Sequence, residues 1–149
     1  MPIYSGGGGG SGSVPALAAA TVSLTSGNIT TVSTTFVDLT GVTVTLSTGA
    51  RRALVVFNAS ASNSTAGNAC YFDIAIDGTR QGGTNGLIES DSGSNGLTQN
   101  ASFTYLTPVL TSASHTIKIQ WRVNANTGTV VASTTSPVAL MVAELLQTT

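Results

Sequence analysis

The side chains able to carry chemistry are few. The single histidine, His115, follows Ser114, and two neighbours in a strand point to opposite faces, so they do not form a nucleophile and its base. A distant serine and carboxylate would have to converge on His115, and the simpler reading is a histidine that opens a strand at a turn. Cys70, the single cysteine, sits at an inward position of an alternating run and reads as a small buried hydrophobe rather than a reactive thiol. Asp73 and Asp77 share a strand face but stand about 13 Å apart along it, too far for one cation. Glu89 and Asp91 are closer, and with loop carbonyls they have the oxygen chemistry Ca²⁺ requires, although a solvated loop tip is the default for such a pair. The tract Gly6 to Gly10 lacks the Lys-Ser/Thr ending of a phosphate loop and reads as a tether. No cofactor and no metal site is expected, and the chain reads as a non-enzyme.

Recognition chemistry is scarcely richer. Arg51-Arg52 is the one paired basic site, suited either to gripping a carboxylate on a partner or to guarding a strand edge. Tyr71, Tyr105 and Trp121 are the aromatics a carbohydrate would stack on, but Trp121 is in register with Ile117 and Ile119 and reads as core. Five Lys+Arg against six Asp+Glu make 7% of the 149 residues charged, where soluble domains average about 25%. A net charge of −1 offers no field for a polyanion, so nucleic acid is not an expected partner. Nor is a membrane, since no run approaches the ~18 apolar residues needed to cross one. The N-terminus has no basic region ahead of an apolar run, so no signal peptide is expected, and the sequons at Asn28, Asn58, Asn63 and Asn100 read as chance.

The elements that must position these residues are strands. With 24 threonines, 18 serines and 17 glycines, the polar part of the chain is small, neutral and poor in helix formers. Residues 1–16 read as an extended, flexible glycine-rich arm whose tip, Pro2, Ile3 and Tyr4, is expected to offer an apolar anchor for a partner. Its eight residues 6–13 span roughly 16 Å as a coil. Residues 17–149 form the body, which alternates with period two from Ala20 onward. Leu54 to Phe57 is continuously apolar, suggesting a strand covered on both sides. Asp77-Gly78 marks a hairpin, and residues 81–100 read as a long loop with one weak strand. The last strand is apolar on both faces, with Ala139, Met141 and Ala143 on the side expected to meet a neighbouring subunit. The fold expected is an all-β, antiparallel jelly-roll sandwich of about 8–10 strands, with an immunoglobulin sandwich as the alternative.

Four stretches carry a resemblance: Ser33 to Gly41 leading into an alternating strand, the hairpin Phe72 to Gly78, Ser114 to Trp121, and the closing Ala139 to Leu145. Together they resemble the jelly-roll domains, similar to the tumour-necrosis-factor and C1q type, of bacteriophage virion proteins such as capsid decoration proteins and fibre heads. The resemblance spans roughly residues 28–146 and rests on strand-and-turn patterns, not on functional side chains. It implies a homotrimer displayed on a phage head, made in the host cytoplasm, whose partner is the major capsid protein or another virion protein. A compact body with a reaching arm and no helical or repetitive stalk suits a decoration, or cement, protein. A receptor- or glycan-binding fibre or tail tip using residues 81–100 is the alternative.

Overall fold

The computed structural model describes residues 17–146, which contain eleven strands and no helix. The arm, with Pro2, Ile3 and Tyr4, lies outside the described residues. The strands are β1 (Ala19–Leu24), β2 (Ile29–Thr31), β3 (Val37–Ser47), β4 (Ala53–Asn63), β5 (Asn68–Ile76) and β6 (Thr79–Arg80). They continue with β7 (Ile88–Ser92), β8 (Gln99–Leu106), β9 (Ser114–Val123), β10 (Gly128–Val131) and β11 (Val138–Glu144).

Every pairing is antiparallel. β10 and β11 lie on one edge of β4 and β8 on the other, while β1 and β2 flank β11 and β10 in turn. The first sheet is therefore four positions wide: β1/β2, β11/β10, β4, β8. In the second, β3 pairs β9, β9 pairs β5, and β7 and β6 share the far edge of β5. The eleven segments thus fill eight positions in the winding order of a jelly roll, as the strand spacing predicts.

Alternation explains why the sheets stack. Val55, Phe57, Ala59 and Ala61 of β4 face Cys70, Phe72, Ile74 and Ile76 of β5 and Ile117, Ile119, Trp121 and Val123 of β9, all buried. Aromatic rings bridge the layers: Phe57 lies 5.6 Å from Phe72 and 5.3 Å from Phe103, and Phe72 stacks on Trp121 at 6.0 Å. Gly128 lets β10 close over this cluster, because a Cβ there would meet Val123 at 2.5 Å and the Cys70 sulfur at 3.0 Å. Burial pushes the Cys70 thiol up to about 11, and its Sγ–H donates to the Ser62 carbonyl at 3.4 Å.

Two expectations change. β4 is not covered on both sides, since Leu54 and Val56 face outward and are only half-buried. Residues 81–100 are less loop than expected: they hold β7 and the start of β8, and the stretch before β7 packs onto β5.

Phe57→Ala removes the ring that joins both layers, so it should lower stability by about 3–5 kcal/mol, read from the urea midpoint.

Candidate functional site

In the second sheet the outer side of β5 is covered by its own chain. Asp77 and Gly78 take the positive φ values, 49° and 83°, of a tight hairpin, which turns β6 back along β5. Asp73 then stands opposite the returning segment, fully buried. Its Oδ1 accepts from the Ile74 N–H at 2.8 Å and the Gly82 N–H at 2.9 Å, and its Oδ2 accepts from the Arg80 guanidinium at 2.7 Å. A Cβ at residue 82 would lie 2.7 Å from that same Oδ1, so glycine is required there.

Arg80 continues outward onto the ring of Phe36, 3.7 Å from its centroid, and Arg122 lies 4.1 Å from the centroid of Tyr71. These stacks hide Tyr71 and leave it little face for a sugar. Burial raises the Tyr71 phenol above its ordinary value, and neighbouring Glu89 adds to the effect. Trp121 lies in the core, where its register places it, and Tyr105 donates its hydroxyl to Gln81 at 3.2 Å.

A second cluster gathers at one end of this sheet. His115 Nδ1–H donates to Asp77 Oδ2 at 2.6 Å, and Asp77 Oδ1 accepts from the Thr116 N–H at 2.8 Å. His115 Nε2 lies 3.3 Å from Thr111 Oγ1 and 3.1 Å from the Thr111 carbonyl. The connectivity is that of a hydroxyl, a base and an acid, and Ser114 takes no part in it. The Asp77 hydrogen bond, then the Thr111 carbonyl, raise the His115 pKa, so the ring holds its proton at a pH where an ordinary histidine releases it. The His115 hydrogen bond and the Thr116 N–H likewise lower Asp77. No concave pocket opens among the described residues. The cluster clamps the β5–β6 hairpin to the start of β9.

Arg51 and Arg52 stand at one end of the first sheet. Arg51 lies 3.5 Å from Glu144, which also accepts from the N–H groups of Gly49 at 2.6 Å and Ala18 at 3.2 Å. Burial works to raise the Glu144 pKa, but those two N–H groups and Arg51 together bring it below the ordinary value. Arg52 donates to the Thr107 carbonyl at 2.9 Å. Both guanidiniums therefore have partners within the chain, Arg51 a carboxylate and Arg52 a carbonyl. Glu89 and Asp91 are exposed on β7, and the described residues contain no group of three or more His, Cys, Asp or Glu placed to hold a metal.

The outer face of the first sheet has no such cover. Cross-strand register lines up Ala19, Ala143, Leu54 and Leu106 in one row, and Thr21, Met141, Val56 and Thr104 in the next. Ser23, Ala139, Asn58 and Ser102 form a third row, so the face grades from apolar to hydroxyl. Met141 is 42% exposed and Leu106 48%. No charged side chain points outward from this face, whereas eight of the charged residues belong to the second sheet and its Asp77 turn. Ala139, Met141 and Ala143 do share a surface, and the structure adds Leu54, Val56 and Leu106 to it. The continuous apolar run at Leu54 to Phe57 was the signal for the first two. Leu106 joins only through the β4–β8 register. Compared with known proteins, the chain matches no family model and no curated protein.

Two outcomes follow. Asp73→Ala strands Arg80, whose other end partly reaches water, and should cost about 3 kcal/mol while exposing the Gly82 and Ile74 amides to hydrogen exchange. The His115–Asp77 pair contributes fully between the ordinary carboxylate value, 3.8, and the ordinary histidine value, 6.5. Its contribution is lost as pH rises through the raised histidine value and as pH falls through the lowered aspartate value. Wild-type urea midpoints should therefore drop from about pH 6 to about pH 8, and His115→Ala should flatten that slope.

Proposed function

We propose that the protein is a structural component of a virion: a homotrimeric jelly roll that decorates a phage head and stabilises it. It would be made in the host cytoplasm and act at the head surface, with the major capsid protein or another virion protein as its partner. One observation carries the reading: charge is confined to one sheet and the ends, leaving the other sheet a neutral and partly apolar face. Packing such a face against a neighbour removes apolar area from water without desolvating an ion. Ala139, Met141 and Ala143 lie at its centre, and Leu54, Val56 and Leu106 extend it. A protein that binds only the assembled lattice stabilises that lattice by mass action. Residues 1–16 supply the second contact, with Pro2, Ile3 and Tyr4 engaging a neighbouring subunit; Arg52, held only by a carbonyl, is the better placed of the two arginines for a partner's carboxylate.

The test is light scattering of the purified full chain, then sedimentation with undecorated heads. A trimer that pellets with heads, and fails to when residues 1–13 are deleted, is the expected result. Trimers that ignore heads would favour the receptor- or glycan-binding tip, and a monomer would remove the reading. Met141→Lys sets like charges together in the trimer and should weaken association on the order of 100-fold, with unchanged circular dichroism.

A further inference from the structure

We infer that the free edge of β8 pairs with the β8 edge of a second copy of this chain, extending the first sheet across a twofold axis. The backbone ladder shows which groups are available. The Thr107 N–H donates to the Ala53 carbonyl at 3.0 Å, and alternation then assigns Tyr105, Phe103 and Ala101 to β4. Asn100, Ser102, Thr104 and Leu106 consequently aim their N–H and C=O groups away from the sheet. The opposite edge of β4 agrees: Leu145 N–H donates to Arg52 O at 2.9 Å, which gives the alternate residues of β4 to β11. Among the described residues, no backbone or side-chain group caps the four outward positions of β8.

The other edges are guarded in ways that β8 is not. β7 carries Glu89 and Asp91. β3 carries Asp38 and shifts register between Asp38 and Thr43, where Gly41 has a φ of 79°. The edge formed by β1 and β2 is broken between Leu24 and Ile29. β8 runs in unbroken register with β4 from Gln99 to Leu106 and has no charge, proline or bulge. Phe103 and Tyr105 point toward the second sheet yet remain partly exposed, as inward residues at an open edge do.

The occupant follows from charge and symmetry. A strand paired antiparallel with its own copy sets each side chain near its mate or its mate's neighbour, which is costly when the strand is charged. Centred on Phe103, β8 sets Ser102 against Thr104 and Asn100 against Leu106, with no like charges brought together. That register pairs the outward backbone groups with one another in about eight hydrogen bonds. Each copy has one such edge, so the contact closes after two. It goes beyond the trimer reading, because it joins whatever unit carries the edge two by two.

The experiment is analytical ultracentrifugation of the full chain and of two variants, Ser102→Pro and Thr104→Lys, with circular dichroism to confirm folding. Ser102→Pro deletes an outward N–H and leaves the ladder to β4 intact, and Thr104→Lys keeps the backbone but adds a charge that meets its own copy. Each variant is expected to at least halve the mass of the largest defined species. Because Thr104 also lies on the neutral outer face, Ser102→Pro, which adds no charge there, separates the two contacts: a fall from paired trimers to trimers keeps the trimer reading, and a fall from dimer to monomer removes it. Hydrogen exchange at the Thr104 amide should slow as wild-type concentration rises. Equal masses for wild type and the folded Thr104→Lys variant, with concentration-independent exchange, would overturn the inference.

Discussion

The asymmetry of the molecule depends on one fully buried carboxylate. Asp73 sits on the outward side of β5, where a charge would ordinarily face water, and the chain brings donors to it instead of solvent. Arg80 and the Gly82 N–H come from the segment that the Asp77-Gly78 hairpin folds back. An unpaired charge at that depth is unfavourable by several kcal/mol, so the segment must stay docked for the sheet to remain buried. Once it is docked, Arg80 and Phe36 are in place and Tyr71 is covered. β5 is thus covered on both sides by its own sequence, and the outer side of the first sheet has no corresponding carboxylate to gather a cover.

Much of the architecture was legible from periodicity. The run Ile117, Ile119, Trp121, Val123 stated its inward face outright, and the Asp-Gly pair stated the hairpin. The closing strand, apolar on both sides, pointed to the surface that is left open. The double cover expected over Leu54 and Val56 was a reasonable reading of a continuous apolar run, but local sequence cannot say whether the layer above comes from the same chain. Leu106 was silent for a related reason: its place beside Leu54 is a fact of register between strands about fifty residues apart.

Electrostatic detail was the least legible. Asp73, Asp77 and Glu144 look like ordinary surface carboxylates in a list of residues, and each accepts more than one hydrogen bond from the fold. Glu144 joins the entry to β1, the turn at Gly49 and the end of β11, which are separated by up to 126 positions. His115 was correctly placed at the start of a strand, but its partner lies 38 positions away across two sheet neighbours. Strand spacing reveals which side a residue faces, and leaves open who meets it there.

Gly128 and the ring cluster beneath it have a consequence for chemistry outside the fold. By permitting β10 to lie directly over the Cys70 sulfur, the glycine seals the chain's only thiol in a layer that neither peroxide nor glutathione reaches without unfolding. With no disulfide to form and no accessible thiolate to oxidise, thiol–disulfide exchange leaves the body's covalent structure unchanged. Its durability then rests on packing and buried hydrogen bonds and owes nothing to the redox state of sulfur in the core.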